Sequence, residues 1–220
     1  ILLEYFYDNN IKELDTLIVT HYDSDHSGGV IDILKNIKVK NLIMPKTTCT
    51  SINSCEIEKY IKENNINYIT PKINDEIKIR DDFKLYNFKL NDDKLSKNDS
   101  SIVTLIEIKD NKLLYLADIT TKTYSKFDNY LPDNITILKA SHHGAKNTIN
   151  DYMLNKLNPK YSIISTGKNS YGHPDKYTYS KLSEKSKVLS TRELGAIKFE
   201  FDKNIKVYHY NKYKNKFEKL

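Results

Sequence analysis

The chain has no tryptophan, and only two cysteines, five prolines and six glycines in 220 residues. So few cysteines exclude a small disulfide-built scaffold, and the absence of a CxxC spacing argues against a cysteine metal site. Cys49 and Cys55 flank a short polar loop. A local disulfide, which needs an oxidising compartment, and two free thiols suit them equally. Arginine is nearly missing: of 35 basic residues only Arg80 and Arg192 are arginine. The net charge of +6 therefore rests on lysine, in company with abundant Asn, Ile and Tyr, as an AT-rich coding sequence would give. Such a surface attracts polyanions without specificity, although much of the charge is codon bias on a solvated face. No apolar run approaches the roughly 20 residues that span a bilayer. The start, Ile1 to Tyr7, has no basic region, no cleavage site and no initiating Met, which implies an N-terminus processed, cut or left out.

What is present fits one globular domain over residues 1–220, with hydrophobic content of 39% and charged content of 29%. Strands and helices alternate. Leu14–Thr20, Asn41–Met44, Asn67–Thr70, Ile135–Ala140 and Tyr161–Ser165 read as strands. Gly29–Asn36, Ser54–Asn64, Asp151–Leu157 and Lys176–Ser183 read as helices. Alternating apolar residues predict hairpins within Glu76–Leu90, across Ile102–Ile108 and Lys112–Ala117 with a turn at Asp110-Asn111, and across Ala196–Phe201 and Ile205–Tyr210. Asn91–Asp99 is polar and reads as a loop. Strands joined by both helices and hairpins predict mixed sheets covered by helices, an α/β (α+β) class. The stretch Lys203–Lys219 is basic and interleaved with aromatics, and reads as a solvated edge hairpin rather than a nucleic-acid groove.

The run His21-Tyr-Asp23-Ser-Asp25-His26-Ser-Gly28-Gly29 carries the most chemistry. It places two imidazoles and two carboxylates directly after a strand, a nitrogen and oxygen ligand set suited to zinc, manganese or iron. Other reactive side chains also follow strands: Asp118, the pair His142-His143, and His173 in Gly172-His173-Pro174. Strand ends that share one rim of a sheet converge. Asp99 reads first as a loop residue, and His209, inside a strand, as structural. The spacing suits a two-metal hydrolase, in which ions roughly 3.5–4 Å apart clamp a phosphate and activate water. One ion takes His21 and Asp23, the other Asp25 and His26. Asp118 has two oxygens with which to bridge them, and His142 or His143 completes a shell.

These residues resemble the metallo-β-lactamase superfamily, whose first motif is usually HxHxDH. More narrowly they look like the C-terminal hydrolase domain of ComEC-type competence proteins, which take up DNA. That motif reads HxDxDHxGG, with Asp in the second position as at Asp23. The likeness continues through Asn98–Val103, Leu113–Asp118, Leu138–Gly144, Gly172–Pro174 and Thr191–Ile197. It implies an αββα sandwich, with His21, Asp23, Asp25 and His26 as first-motif metal ligands, Asp118 as the bridging Asp, and the late His supplied by the pair His142-His143. We take His142 as that ligand and Asp25, His143 and His173 as catalytic, although the resemblance assigns the His173 position no role beyond lying near the site. It implies two divalent ions, Mn or Zn, and hydrolysis of DNA, single strands above all, or of another phosphodiester. Within a parent membrane channel protein the domain would sit on the extracellular face; free-standing, it would be cytoplasmic. Three features depart from the pattern. The N-terminal hairpin with its early Asp is missing, so the sandwich is expected to lack its N-terminal strands. Ala117 stands where Gly is usual. No His occupies the third motif, where only Asn98 and Asp99 lie, and that favours manganese over zinc. The alternatives are hydrolysis of a small ester, thioester or lactam, and a degenerate module that binds without catalysis.

Overall fold

The computed structural model describes residues 2–90, 92 and 94–220. The chain divides into two compact units, Ile1–Asp75 with Asn87–Ile102, and Glu76–Tyr86 with Val103–Leu220.

The first unit begins with helix α1 (Leu2–Asp8), strand β1 (Glu13–Ile18), the single turn α2 (Ser24–Ser27), helix α3 (Val30–Asn36), strand β2 (Lys38–Ile43) and helix α4 (Ile52–Glu63). β1 and β2 pair in parallel, with Leu17 opposite Leu42 and Ile18 opposite Ile43. A parallel pair needs a crossover, and α2 and α3 provide it. Val19, Val30, Leu42, Met44, Ile57 and Ile61 form its core, and Phe6, Ile33 and Ile37 a second cluster beneath α1. The expected strand at Asn67–Thr70 reduces to one bridge, Ile69 to Ile43, because only Ile69 exchanges backbone bonds with Leu42 and Met44. α4 is closed by a capping box between Ser51 and Ser54. Cys49 and Cys55 are joined by a disulfide, which settles the choice between bridge and free thiols.

The second unit is organised on a seven-stranded sheet in sequential order: β3 (Asp75–Arg80), β4 (Phe83–Phe88), β5 (Val103–Ile108), β6 (Asn111–Tyr115), β7 (Ile137–Lys139), β8 (Tyr161–Ile164) and β9 (Lys187–Ser190). β5 and β6 form the predicted hairpin, but Ile108 pairs with Asn111, so the turn is Lys109-Asp110. Lys109 takes the left-handed conformation there, with φ 51°. From β6 onward the strands are parallel, joined through α5 (Thr121–Phe127), α6 (Asp151–Leu157) and α7 (Lys176–Lys185). The buried side chains of β5 to β7 are near-continuous apolar runs, as a sheet covered on both faces requires. α8 (Thr191–Leu194) leads to a second sheet of β10 (Ile197–Phe201), β11 (Ile205–Asn211) and β12 (Lys216–Lys219), so the expected final hairpin has a third strand. Several of the lysines here are engaged within the sheet. The Lys198 ammonium lies 4.9 Å from the Tyr208 ring centre and 2.8 Å from Glu200, and Lys214 lies 2.9 Å from Glu218.

Candidate functional site

In the first unit the chain leaves β1 into Thr20 and the ligand run. His26 N and Ser27 N donate to Asp23 O, at 3.0 and 2.9 Å, and turn α2 so that Asp25 and His26 leave from its start. Gly28 is required by space: a Cβ there would lie 2.6 Å from Ser24 O, whereas one at Gly29 would meet nothing. His21 Nε2 lies 3.8 Å from Asp23 Oδ2, and His26 Nε2 lies 3.6 Å from Asp25 Oδ2. The imidazole centres of His21 and His26 are 4.2 Å apart. Nitrogen–oxygen gaps of this size exceed a hydrogen bond. They approach the separation of two atoms that each stand about 2.0–2.2 Å from a shared ion. His21 is buried, while the side chains of Asp23 and Asp25 are 43% and 58% exposed, so the carboxylates form the open side of the group.

Thr20 holds both rings. Its Oγ1 stands 3.1 Å from His21 Nδ1 and 3.3 Å from His26 Nδ1. A hydroxyl that accepts from both Nδ1–H groups leaves the lone pair of each neutral imidazole on Nε2, the atom that faces its carboxylate. Asp99 is tied into its own loop, since its Oδ2 accepts from Ser96 Oγ at 3.0 Å, and Asn98 O accepts from Ser101 N and Oγ.

In the second unit β6, β7 and β8 run parallel with Tyr115 opposite Lys139 and Lys139 opposite Ile163. The segments that follow them leave one rim of the sheet together. They carry Asp118, His142 with His143, and His173. Asp118 is buried, and its Oδ2 lies 3.8 Å from His142 Nε2 and 3.9 Å from His143 Nε2. A carboxylate taken out of water needs compensating positive charge, which a divalent ion or protonated imidazoles would provide. His143 Nδ1 donates to Ser165 O at 2.7 Å, which fixes the tautomer with its lone pair on Nε2.

The backbone around these residues is unusual. His142, His143 and Gly144 are all left-handed, with φ of 46°, 54° and 79°. Two successive non-glycine residues in that region cost about 1–2 kcal/mol each. Strain of this kind persists where the surroundings impose it, and it gathers at functional sites. Ala117 also has φ 48°, so the residue before Asp118 occupies a position that suits glycine, and the exchange for Ala is costlier than its size suggests. Ser141 ties the two loops together: its hydroxyl donates to Ile119 O at 2.6 Å and stands 3.3 Å from Ala117 O, and His142 N donates to Ala117 O at 2.9 Å.

His173 packs against the same group, its ring centre 5.4 Å from that of His142. Asn169 clamps its backbone, accepting from His173 N at 3.0 Å and donating to His173 O at 2.8 Å. Gly144 allows the approach, because a Cβ there would stand 2.9 Å from Pro174 Cβ. Burial, and then the neighbouring His142 and His143, hold the His173 imidazole below its ordinary value, so it is neutral at pH 7. His209 lies in β11 opposite Ile197 and Glu218, apart from this rim.

The structure thus gathers the eight residues singled out in the sequence into two groups, one in each unit. Sequence reasoning missed Thr20, Ser141, Ser165 and Asn169, which act by orienting the others. The one available signal was a hydroxyl residue directly before His21 and another directly before His142.

Comparison with known proteins gives a consistent result. Residues 6–168 match the family model described as metallo-beta-lactamase superfamily. The chain is 30% identical over 209 residues to ComE operon protein 3 of Bacillus subtilis, covering 93% of this chain and 27% of that protein. It is 28% identical over 199 residues to Recombination protein 2 of Haemophilus influenzae, covering 86% and 22%. The chain therefore spans about a quarter of the length of the curated relatives it matches. Among solved structures, CmlA, a diiron beta-hydroxylase from Streptomyces venezuelae, superposes with a TM-score of 0.52 at 13% identity, over 81% of this chain and 44% of that one. The metallo-beta-lactamase fold protein YhfI from Bacillus subtilis gives 0.50 at 12% identity, over 81% and 75%. These two likenesses bear on the fold.

Proposed function

The chain belongs to the metallo-beta-lactamase superfamily, and from that premise we propose that it is a metal-dependent phosphodiesterase acting on DNA, on single strands above all. The observation that carries this reading is Asp23 in the second position of the first motif, a carboxylate oxygen 3.8 Å from His21 Nε2 where the superfamily usually has an imidazole. An oxygen-rich set favours hard ions and phosphate chemistry over the histidine-rich zinc site of a lactamase. Similarity to competence proteins over most of the chain supports the choice of DNA.

The donors present fit divalent ions, manganese ahead of zinc. Within the first unit His21, Asp23, Asp25 and His26 would hold such an ion; within the second, Asp118 and His142 would. Such ions supply Lewis acidity and lower the pKa of water toward about 7. The chain's own residues do the rest. Thr20 and Ser165 present the imidazole lone pairs. Asp25, the most exposed carboxylate of its group, accepts a proton. His143 keeps its Nδ1 proton on Ser165 O. His173, held neutral, offers a ring N–H to a phosphoryl oxygen. The Cys49–Cys55 disulfide favours an oxidising compartment, in keeping with the outer face of a parent membrane channel protein. Among the described residues no helix is long and apolar enough to cross a membrane.

The test is metal content and single-strand cleavage on one preparation, before and after manganese loading. Bound metal with metal-dependent cleavage supports the reading. A folded, metal-loaded chain that cleaves no DNA, RNA or model phosphodiester refutes it. Turnover of a chromogenic lactam or ester by that same preparation would transfer the site to small-molecule hydrolysis.

A further inference from the structure

The first unit contains a cleft of ≈ 560 Å³ that opens on His21. Among the described residues its walls carry Lys46, Lys89 and Lys97 against one carboxylate, Asp92. Most remaining lining residues are neutral and polar, Ser51 among them. We infer that this cleft is the binding track for the phosphate backbone of a single nucleic-acid strand, leading it to His21. The inference rests on the phosphodiesterase reading for the nature of its ligand.

Cationic groups that follow a groove are how proteins hold single strands without sequence preference. Here the cations are placed rather than scattered. Lys89 is half-buried, and its ammonium donates to Ser100 O at 3.1 Å and Leu90 O at 3.3 Å, which hold it at the wall. Lys46 follows Pro45, whose carbonyl accepts from the Tyr22 hydroxyl at 2.5 Å. Another part of the lining is fixed as well. The Cys49–Cys55 disulfide closes the loop that carries Thr50 and Ser51, and Ser51 caps α4, so the positive end of that helix lies at the cleft wall. A site built beforehand loses less freedom on binding.

The volume selects the strand. A space of ≈ 560 Å³ is of the size that takes one small organic molecule. It accommodates a nucleotide or so of a flexible single strand and is too small for a duplex. Besides His21, Tyr22 is the one aromatic among the described lining residues, and its hydroxyl is engaged. The cleft therefore reads backbone and not bases, and oligothymidine and oligoadenine should bind alike.

The experiment measures binding of a fluorescent oligothymidine to the full chain in EDTA, across a salt series, so that cleavage plays no part. Each lysine that neutralises a phosphate contributes about 0.7 to the slope of log affinity against log salt. Replacing Lys46, Lys89 and Lys97 together by Gln should lower the slope by about 2 and the affinity at least tenfold, with metal content after manganese loading unchanged. Because Lys89 is partly buried, Lys46→Gln with Lys97→Gln is the second variant, expected to lower the slope by about 1.4. An unchanged slope in this folded double variant overturns the inference. So does a duplex that binds as tightly as the single strand, or polyglutamate that competes as well as the oligonucleotide. Failure of the phosphodiesterase reading would appear elsewhere, as tight, lysine-dependent binding in EDTA with no cleavage after metal loading.

Discussion

Thr20→Val removes one oxygen and keeps nearly the same shape, so it tests whether a hydroxyl shared by two imidazoles prepares them to bind metal. Thr20 Oγ1 lies 3.1 Å from His21 Nδ1 and 3.3 Å from His26 Nδ1. Each such bond contributes about 0.5–1.5 kcal/mol net, so the pair is worth about 1–3 kcal/mol. If that energy is realised as orientation of the two rings, metal affinity falls by roughly 10- to 100-fold, the usual cost of losing a partner behind a ligand. The assay is competition for manganese or zinc against a chromophoric chelator, read alongside thermal unfolding of the metal-free protein. Thr20→Ser restores the hydroxyl and should return affinity to within a few-fold of the parent. If Thr20→Val binds metal within about twofold of the parent, or if Thr20→Ser is as weak as Val, the hydroxyl does not hold the rings and the reasoning fails.

Other outcomes follow from the second unit and from the disulfide. Asp118→Asn should abolish metal-dependent cleavage while leaving the metal-free fold intact, because the variant keeps the side chain's size and shape; a melting point well below the parent's would make Asp118 structural. Gly144→Ala places a Cβ 2.9 Å from Pro174 Cβ at a residue with φ 79°, and should cost about 1–3 kcal/mol in urea unfolding. Ala117→Gly should instead stabilise by about 0.5–1 kcal/mol, since glycine alone takes φ 48° without penalty; a loss would show that Ala117 contributes packing that outweighs its backbone. Replacing Cys49 and Cys55 by Ser should lower unfolding free energy by about 2 kcal/mol, the value for a loop this short, and added reductant should then change the variant's unfolding curve no further.

Much of this was legible in the sequence for a physical reason. Ligands are rare residue types, and when they cluster after an apolar strand, chance is a poor explanation. The run at His21–His26 and the pair His142-His143 declared themselves in that way. The elements read best were those with a strong period, such as α6, whose bounds agree exactly with the sequence reading, and the β5–β6 hairpin, which slipped by one residue at its turn. α5 escaped notice because Thr-Lys-Thr-Tyr-Ser-Lys-Phe is mostly polar by type, yet it buries Thr123, Tyr124 and Phe127. β9 is four residues long and offers no alternation to read; parallel pairing with β8 makes it a strand. Thr20 and Ser141 had only their places before His21 and His142 to mark them, and Asn169 had nothing, because serine, threonine and asparagine occur everywhere. Their hydrogen-bond partners, fixed by the fold, distinguish these three from the rest.

The left-handed run His142-His143-Gly144 has a consequence for how such a chain can change over generations. Asparagine, aspartate, histidine and glycine tolerate that backbone, and β-branched or bulky side chains do not. Most codon changes at these positions would therefore be removed by selection on folding before selection on activity could act. A descendant that abandoned catalysis should accumulate Asn, Asp or Gly here, while exposed Asp23 and Asp25 would diversify freely. Variation in the carboxylates of the first turn is then the more sensitive record of whether a related chain still turns over substrate.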